Sequence, residues 1–363
     1  MTAVLTEEMI QKLTRLRKQL HENAELPHQE YRTGEILEAF LEKETDFRIV
    51  RQEGWFYAVK DGRETEDVIA FRAEMDALPI AEGGKPVSHR CGHDGHMAAV
   101  CGVAVALKGI VPARTVCLVF QPAEEVGEGG ELCAGILKEQ LAVREIYACH
   151  NRSGYPEGSV ICFEGLTQPA SEGIILSLTG KASHASEPEK GRNPSGAAAR
   201  LALLTAEMNQ EKPLILSTVT GMRVGTGDFG ISPGEGELRI TLRAENECDM
   251  KMQEGRLLQQ AEALAKEEGL RLETEIRDYF PETRNDRKCA QKVLSAARGL
   301  GLTVLDSKEL WRASEDFGYY TREIPGAMFY VGNGTDHPPL HTDCYEFPDR
   351  ILRVITEIFL ALV

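Results

Sequence analysis

Within six residues, Cys91-Gly-His-Asp-Gly-His96, the chain collects a thiol, two imidazoles and a carboxylate. Such a cluster can ligate a metal, serve as a redox thiol, or form a polar turn with a helix cap at Asp94. Cys91 and His93 are two apart, so on an extended backbone they point the same way. Further candidates sit in "FRAEMDALP" (Glu74, Asp76), "FQPAEEVG" (Glu124, Glu125), "YACHN" (His150) and "PPLHTD" (His341). Imidazole, carboxylate and thiolate together suit borderline cations such as Zn²⁺ or Mn²⁺. The adjacent Glu124 and Glu125 should point in different directions, so one can hold a cation while the other takes a proton from water. A coordinated water can reach a pKa of roughly 7, and a carboxylate base contributes on the order of 10²–10⁴ in rate. A Cys91 thiolate shared by two cations would help keep them at the roughly 3.5–4 Å of two-metal hydrolases. His96 is expected to pack or cap behind the ligands. His21, His28, His89 and His337 carry no pattern that lifts them above surface or packing roles.

The elements that must position these groups can be read from periodicity. Residues 6–22 and 33–44 have helical spacing, the first with Thr6 as cap. "WFYAVK" and "DVIAFRAEM" read as strands around the turn Asp61-Gly62. A helix follows from about Gly95 to Lys108, then strand "RTVCLVF", helix "ELCAGILKEQL" and strand "EIYAC". This alternation predicts an α/β fold with a mostly parallel sheet flanked by helices. In such a sheet the carboxyl ends of the strands open onto one crevice. Glu74 and Asp76, Glu124 and Glu125, and His150 each fall just past a strand, so three strands deliver ligand groups to one edge. From about residue 173 the order becomes β-α-β-β-α-β, a ferredoxin-like unit. It reads as an insertion at 171–280 within a catalytic domain of 1–170 plus 281–363. "MFYVG" resumes the sheet and "FPDRILRVITEIFLALV" closes the chain as a helix.

The bulk numbers exclude several classes. With 41 Lys and Arg against 57 Asp and Glu, the net charge is −16, the opposite of a nucleic-acid footprint. It also disfavours anionic membranes. No apolar run reaches the roughly 18 residues of a spanning helix, and no signal peptide is visible. Nine scattered cysteines, several in apolar runs, read as reduced and cytoplasmic rather than as a disulfide framework.

The ordered motifs "LRKQLHENAEL", "FRAEMDALPI", "HRCGHDGHMAAV", "FQPAEEVGEGG", "ACHN", "GKASHASEPEKGRNP", "SEDFGYY" and "LHTDCYEFPD" run nearly end to end. Together they resemble the di-metal amidohydrolases that include hippurate hydrolase, auxin-conjugate hydrolases and N-acetyl-diaminopimelate deacetylase, relatives of aminoacylase and dimeric carboxypeptidases. The resemblance implies two divalent ions (Mn, Zn, Co or Ni). It makes Cys91 the bridging ligand, His93, Glu125, His150 and His341 the other ligands, and Glu124 the general base. Asp76 and Glu315 would stand beside the metal site. His184 would steady the oxyanion of the tetrahedral intermediate, acting from the inserted domain into the partner subunit, and that domain would be a lid and dimerisation surface. The implied substrate is an N-acyl amino acid or small peptide, cleaved by a homodimer.

The chain departs from that pattern at four places. Glu74 replaces the usual Asp, the segment between Ile80 and Ser88 is short, and "HENAEL" lacks a proline before its glutamate. Gly230, in "GDFGISP", stands where relatives carry an Asn that helps bind the substrate, leaving Arg192 or Arg223 to supply charge. Two alternatives of other classes are a metal-binding relative that binds a small carboxylate ligand without turnover, and a thiol-redox protein using Cys91. Intact Glu124, Glu125 and His184 argue against the first, and the lack of a Cys-x-x-Cys motif against the second.

Overall fold

The computed structural model describes residues 4–80 and 87–363. Most of the short segment expected to reshape the rim, residues 81–86, lies outside the described residues. The chain divides into two compact units: Met1–Thr167 with Thr283–Leu310 and Glu315–Val363, and Gln168–Glu282 with Trp311–Ser314.

In the first unit, every residue from Val68 to Glu74 and from Thr115 to Gln121 is buried. A strand buried at successive positions has both faces covered, as expected for the interior of an α/β sheet. The seven-stranded sheet runs in the order Arg48–Arg51, Phe56–Lys60, Arg114–Gln121, Glu64–Glu74, Glu145–Ser153, Gly326–Gly334, Val160–Ile161. The four strands from Arg114–Gln121 to Gly326–Gly334 are mutually parallel. Both edges are antiparallel, so the sheet is mixed rather than mostly parallel. The cause at the first edge is chain length. Residues 52–55 are too few for the crossover that a parallel pair needs, so the first two strands form a hairpin.

The helix His93–Ala106 is buried along its whole length and packs on the first and last helices, Glu7–Glu22 and Ile351–Leu362. Gly102 permits that approach, since a Cβ there would lie 2.7 Å from Thr356 Cγ2 and 2.8 Å from Leu13 Cδ1. Thr6 caps the first helix, accepting from the Met9 amide at 3.2 Å.

The second unit has a five-stranded antiparallel sheet ordered Gln210–Glu211, Leu214–Val224, Glu235–Ala244, Ala170–Thr179, Arg271–Phe280. Ile174, Leu176, Leu178, Leu238, Ile240 and Leu242 are buried together with Ala197 and Leu201 of helix Ser195–Glu207 and Leu257 and Leu264 of helix Glu247–Glu267. Alternate residues such as Ser177 and Arg239 stay on the other face, the pattern of a sheet covered on one side. All nine cysteines are free thiols. No helix among the described residues is long and apolar enough to cross a membrane.

Candidate metal centre

The parallel strands bring their carboxyl ends to one edge, and backbone hydrogen bonds keep the chain tied there beyond the last ladder pair. The Met75 amide donates to the Gln121 carbonyl at 2.8 Å. This sets Asp76 beside the turn after Gln121, where Asp76 Oδ2 accepts from the Glu125 amide at 2.8 Å. That turn contains Ala123 at φ +53° and closes through Gly127 N to Glu124 O at 2.8 Å. Gly92, at φ +97°, starts the buried helix, and a Cβ there would fall 2.3 Å from Asn151 Oδ1. Only glycine meets both conditions comfortably, and it places Cys91 and His93 on either side of the helix start. His150 lies inside its strand rather than past it, because pairing with Gly326–Gly334 continues to Ser153. His341 sits on a loop at φ +64°, where its amide donates to the Arg90 carbonyl at 2.9 Å and Asp343 pairs with Arg90.

These backbone choices gather the predicted ligands. Cys91 Sγ is 3.3 Å from His150 Nε2 and 3.3 Å from His341 Nε2. His93 Nε2 lies 3.7 Å from Glu124 Oε2 and 3.8 Å from Glu125 Oε1, and Glu125 Oε1 lies 4.0 Å from His341 Nε2. Donor atoms converge as Cys91, His93 and His150, as Cys91, Glu125 and His341, and as His93, Glu124 and Glu125, so Cys91 joins two groups and His93 lies beside both glutamates. His93 Nδ1 donates to the Asp76 carbonyl at 2.9 Å, and His150 Nδ1 to the Asn151 carbonyl at 2.8 Å. Each bond occupies Nδ1 and turns Nε2 towards the other donors, the orientation that ligating histidines require. His93 Nε2 and Glu125 Oε1 are buried without a hydrogen-bond partner. Polar atoms are not left so without reason, and a donor set of two or three imidazoles, a carboxylate and a thiol fits a borderline divalent cation.

The electrostatics agree. Burial, reinforced by Glu315 and Glu125, lifts Glu124 well above the ordinary carboxylate range, and burial lifts Glu125 to about 7. Burial and the same two glutamates of the turn push the Cys91 thiol up. Burial would favour a neutral His93, yet its bond to Asp76 and the charges of Glu74 and Glu125 raise it to about 10. Burial and mutual repulsion thus favour the neutral forms of these acidic groups, a balance that a bound cation would reverse.

Behind the donors stands a polar network whose centre, Arg72, the sequence reading did not single out, though it named Glu74, His96 and Glu315. Arg72, wholly buried, contacts Glu74 through Nη1, and through Nη2 it reaches Asp316 Oδ1 at 2.5 Å and Glu315 Oε1 at 2.9 Å. Gln121 Nε2 donates to the other Asp316 oxygen at 2.7 Å. Glu315 also accepts from the Phe317 amide. Despite burial, Arg72 and His96 hold the Glu74 carboxyl well below its usual range. His96 links Glu74 Oε2 (2.8 Å) to Asn151 Oδ1 (2.7 Å), and Asn151 donates onward to Tyr345. Asp94 is not the helix cap. The helix starts earlier, at His93, and Asp94 Oδ2 pairs with His21 at 2.9 Å and with Arg17 at 3.5 Å.

His184, Arg192 and Arg223 belong to the second unit. His184 is exposed on the short strand Ser183–His184, paired with Ile231. Its Nδ1 accepts from the Ser186 amide at 3.1 Å, so Nε2 carries the proton. The neighbouring Ala185 amide donates to the Gly230 carbonyl at 2.9 Å. Arg192 Nη1 reaches the Gly269 carbonyl at 3.4 Å. Arg223 lines an open groove of about 870 Å³ with Arg239, Asp228 and Phe229.

The sequence profile of peptidase family M20/M25/M40 matches residues 70–363. The chain belongs to this family. An N-acetylcysteine deacetylase of Bacillus subtilis (strain 168) is 28% identical over 371 residues, covering 97% of this chain and 96% of that protein. An N-acetyldiaminopimelate deacetylase of Lactiplantibacillus plantarum is 30% identical over 291 residues, covering 76% of this chain and 75% of that protein. Among solved structures, a Bacillus subtilis dinuclear metal binding peptidase of the M20 family superposes with a TM-score of 0.81 at 27% identity, with 98% of each chain covered. As an M20/M25/M40 member the chain is a metal-dependent hydrolase acting on amide bonds.

Proposed function

We propose that this M20/M25/M40 member hydrolyses the amide bond of N-acyl amino acids or small peptides at a centre for two divalent ions. The observation that carries the reading is the pair of donor groups sharing Cys91, with His93 and His150 presenting Nε2 and Glu124 alongside. Cys91, His93, Glu125, His150 and His341 would hold the ions, and Mn²⁺, Zn²⁺, Co²⁺ and Ni²⁺ all accept this mixed set. Bound there, they would supply Lewis-acid polarisation of the scissile carbonyl and a lowered pKa for water. The relatives named for deacetylation of N-acetylcysteine and N-acetyldiaminopimelate support the substrate class.

The protein's own groups carry the protons. Glu124, 5% exposed, takes one from the attacking water and returns it to the leaving nitrogen. Asp76 holds the Glu125 amide and, through its carbonyl, His93, so it orients two ligands at once. Glu315 accepts from Arg72 beside Glu124 and adds negative potential that keeps the base basic. His184 presents Nε2–H to the oxyanion, in our reading from a partner subunit of a homodimer joined through the second, ferredoxin-like unit, which acts as lid and dimerisation domain. Arg192 or Arg223 meets the substrate carboxylate where Gly230 offers no side chain. Nine free thiols support a reducing, cytoplasmic setting.

Two outcomes follow from the division of roles. Cys91→Ala should bind less than the full complement of ions after metal reloading and lose turnover with it, which elemental analysis of the dialysed protein checks. His184→Ala should keep its ions and lose roughly 10²–10³ in kcat, as when an oxyanion donor is removed elsewhere. A fully active monomer would contradict the trans role. The substrate class is tested by measuring free amino acid released from N-acetyl and N-benzoyl amino acids and dipeptides. Release from one group supports the reading, and silence across all of them with both ions bound contradicts it.

A further inference from the structure

The turn that carries Glu124 and Glu125 is held from an unexpected direction. Ala123, immediately before Glu124, has φ +53°, a conformation costly for any residue with a Cβ. Its amide donates to Glu30 Oε1 at 2.8 Å. Glu30 is 5% exposed and lies 93 residues earlier, at the start of helix Tyr31–Glu44. The same connection between the first two helices makes a second contact, since the Ala77 amide donates to the Glu25 carbonyl at 2.8 Å. Glu25 itself is fixed, with Oε2 accepting from the Thr33 amide and hydroxyl at 2.8 and 3.0 Å. One short segment therefore grips the chain just after Asp76 and just before Glu124.

We propose that Glu30 is a positioning residue for the reaction, its carboxylate holding Ala123 in the left-handed conformation that aims Glu124 at the attacking water. The inference rests on Glu124 being the base. Asp76 fixes the amide of Glu125 on the far side of the turn, so Glu30 and Asp76 clamp Glu124 between two backbone anchors. A shift of about 1 Å in a reacting group can cost about 10²-fold in rate, which sets the scale of what losing one anchor does.

The test compares Glu30→Ala, Glu30→Gln, Glu30→Ala with Ala123→Gly, and Glu124→Gln in the metal-loaded enzyme, reading kcat, KM, ion content and melting temperature. Glu30→Ala should lower kcat roughly 10- to 100-fold with KM and ion content unchanged. Glu30→Gln keeps an acceptor for the Ala123 amide and should retain most of the turnover. Adding Ala123→Gly, which adopts positive φ without penalty, should restore much of the kcat lost in Glu30→Ala. Full kcat in Glu30→Ala, equal loss in the Ala and Gln variants, or no recovery with glycine at 123 would each overturn the proposal. Should Glu30→Ala not fold, Glu30→Met fills the space without a strong acceptor and carries the same comparison. Full turnover in Glu124→Gln would instead overturn the base assignment, whatever Glu30 does.

Discussion

Glu124→Gln should lower kcat by roughly 10²–10⁴-fold while leaving the ion content of the protein unchanged. The amide is nearly isosteric but cannot accept and return a proton; Glu124 lies close to His93 and Glu125, yet the two donor groups that share Cys91 are complete without it. KM should move little, because the proton transfer belongs to the transition state rather than to ground-state binding. The measurement is kcat and KM on the best substrate, beside ion content of the same preparation. Loss of ions equal to that of Cys91→Ala would show that Glu124 is a ligand and dissolve the division of labour between the two glutamates.

The second large effect concerns stability. Arg72→Leu should destabilise the fold by about 3–5 kcal/mol, the cost of removing one partner from a buried ion pair, read as the change in unfolding free energy in urea. Arg72 is the cation shared by Glu74, Glu315 and Asp316 in the interior, and leucine leaves them only His96, Gln121 and backbone amides as partners. The loss should depend on pH in a defined direction. Arg72 and His96 hold the Glu74 carboxyl well below its ordinary value of 4.5, and without Arg72 it rises. A carboxylate whose folded-state pKa is depressed adds stability that is fully present above its unfolded value and is lost as pH falls through the folded value. The deficit of the variant should therefore be smallest in strong acid and grow as pH rises through the carboxylate range to about 5. A deficit below about 1 kcal/mol, the range of surface ion pairs, would contradict the role of Arg72 as the hub.

Much of the arrangement was legible because it is local. "CGHDGH", "AEEVG" and "ACHN" each follow or interrupt an apolar run, and parallel strands send such positions to one edge. The structure brings Cys91, His93, Glu124, Glu125, His150 and His341 together. What escaped depends on contacts that no window of sequence contains. Arg72 alternates within a strand like any other residue, and its partner Asp316 is 244 positions away. Glu30 looks like one more acidic residue before a helix, and the positive φ of Ala123 has no marker, since alanine rarely adopts it. The partners of Asp94 escaped as well, since its position also suits a cap, whereas Gly92 at φ +97° lets the helix begin before it and leaves Asp94 to pair with His21 and Arg17. The antiparallel edges were missed because the alternation of strands and helices reports the parallel interior, not the short strands beyond it.

The central claim, that these side chains form a metal centre for amide hydrolysis, is tested most directly by reconstitution. The protein is stripped with a chelator, dialysed, and titrated with Mn²⁺ or Zn²⁺ while hydrolysis of an N-acetyl amino acid is followed. Stripped protein should be inactive, and activity should return in step with occupancy, reaching its plateau near two ions per chain. Unchanged hydrolysis by the stripped protein would contradict the account, as would full occupancy with no hydrolysis of any N-acyl amino acid or dipeptide.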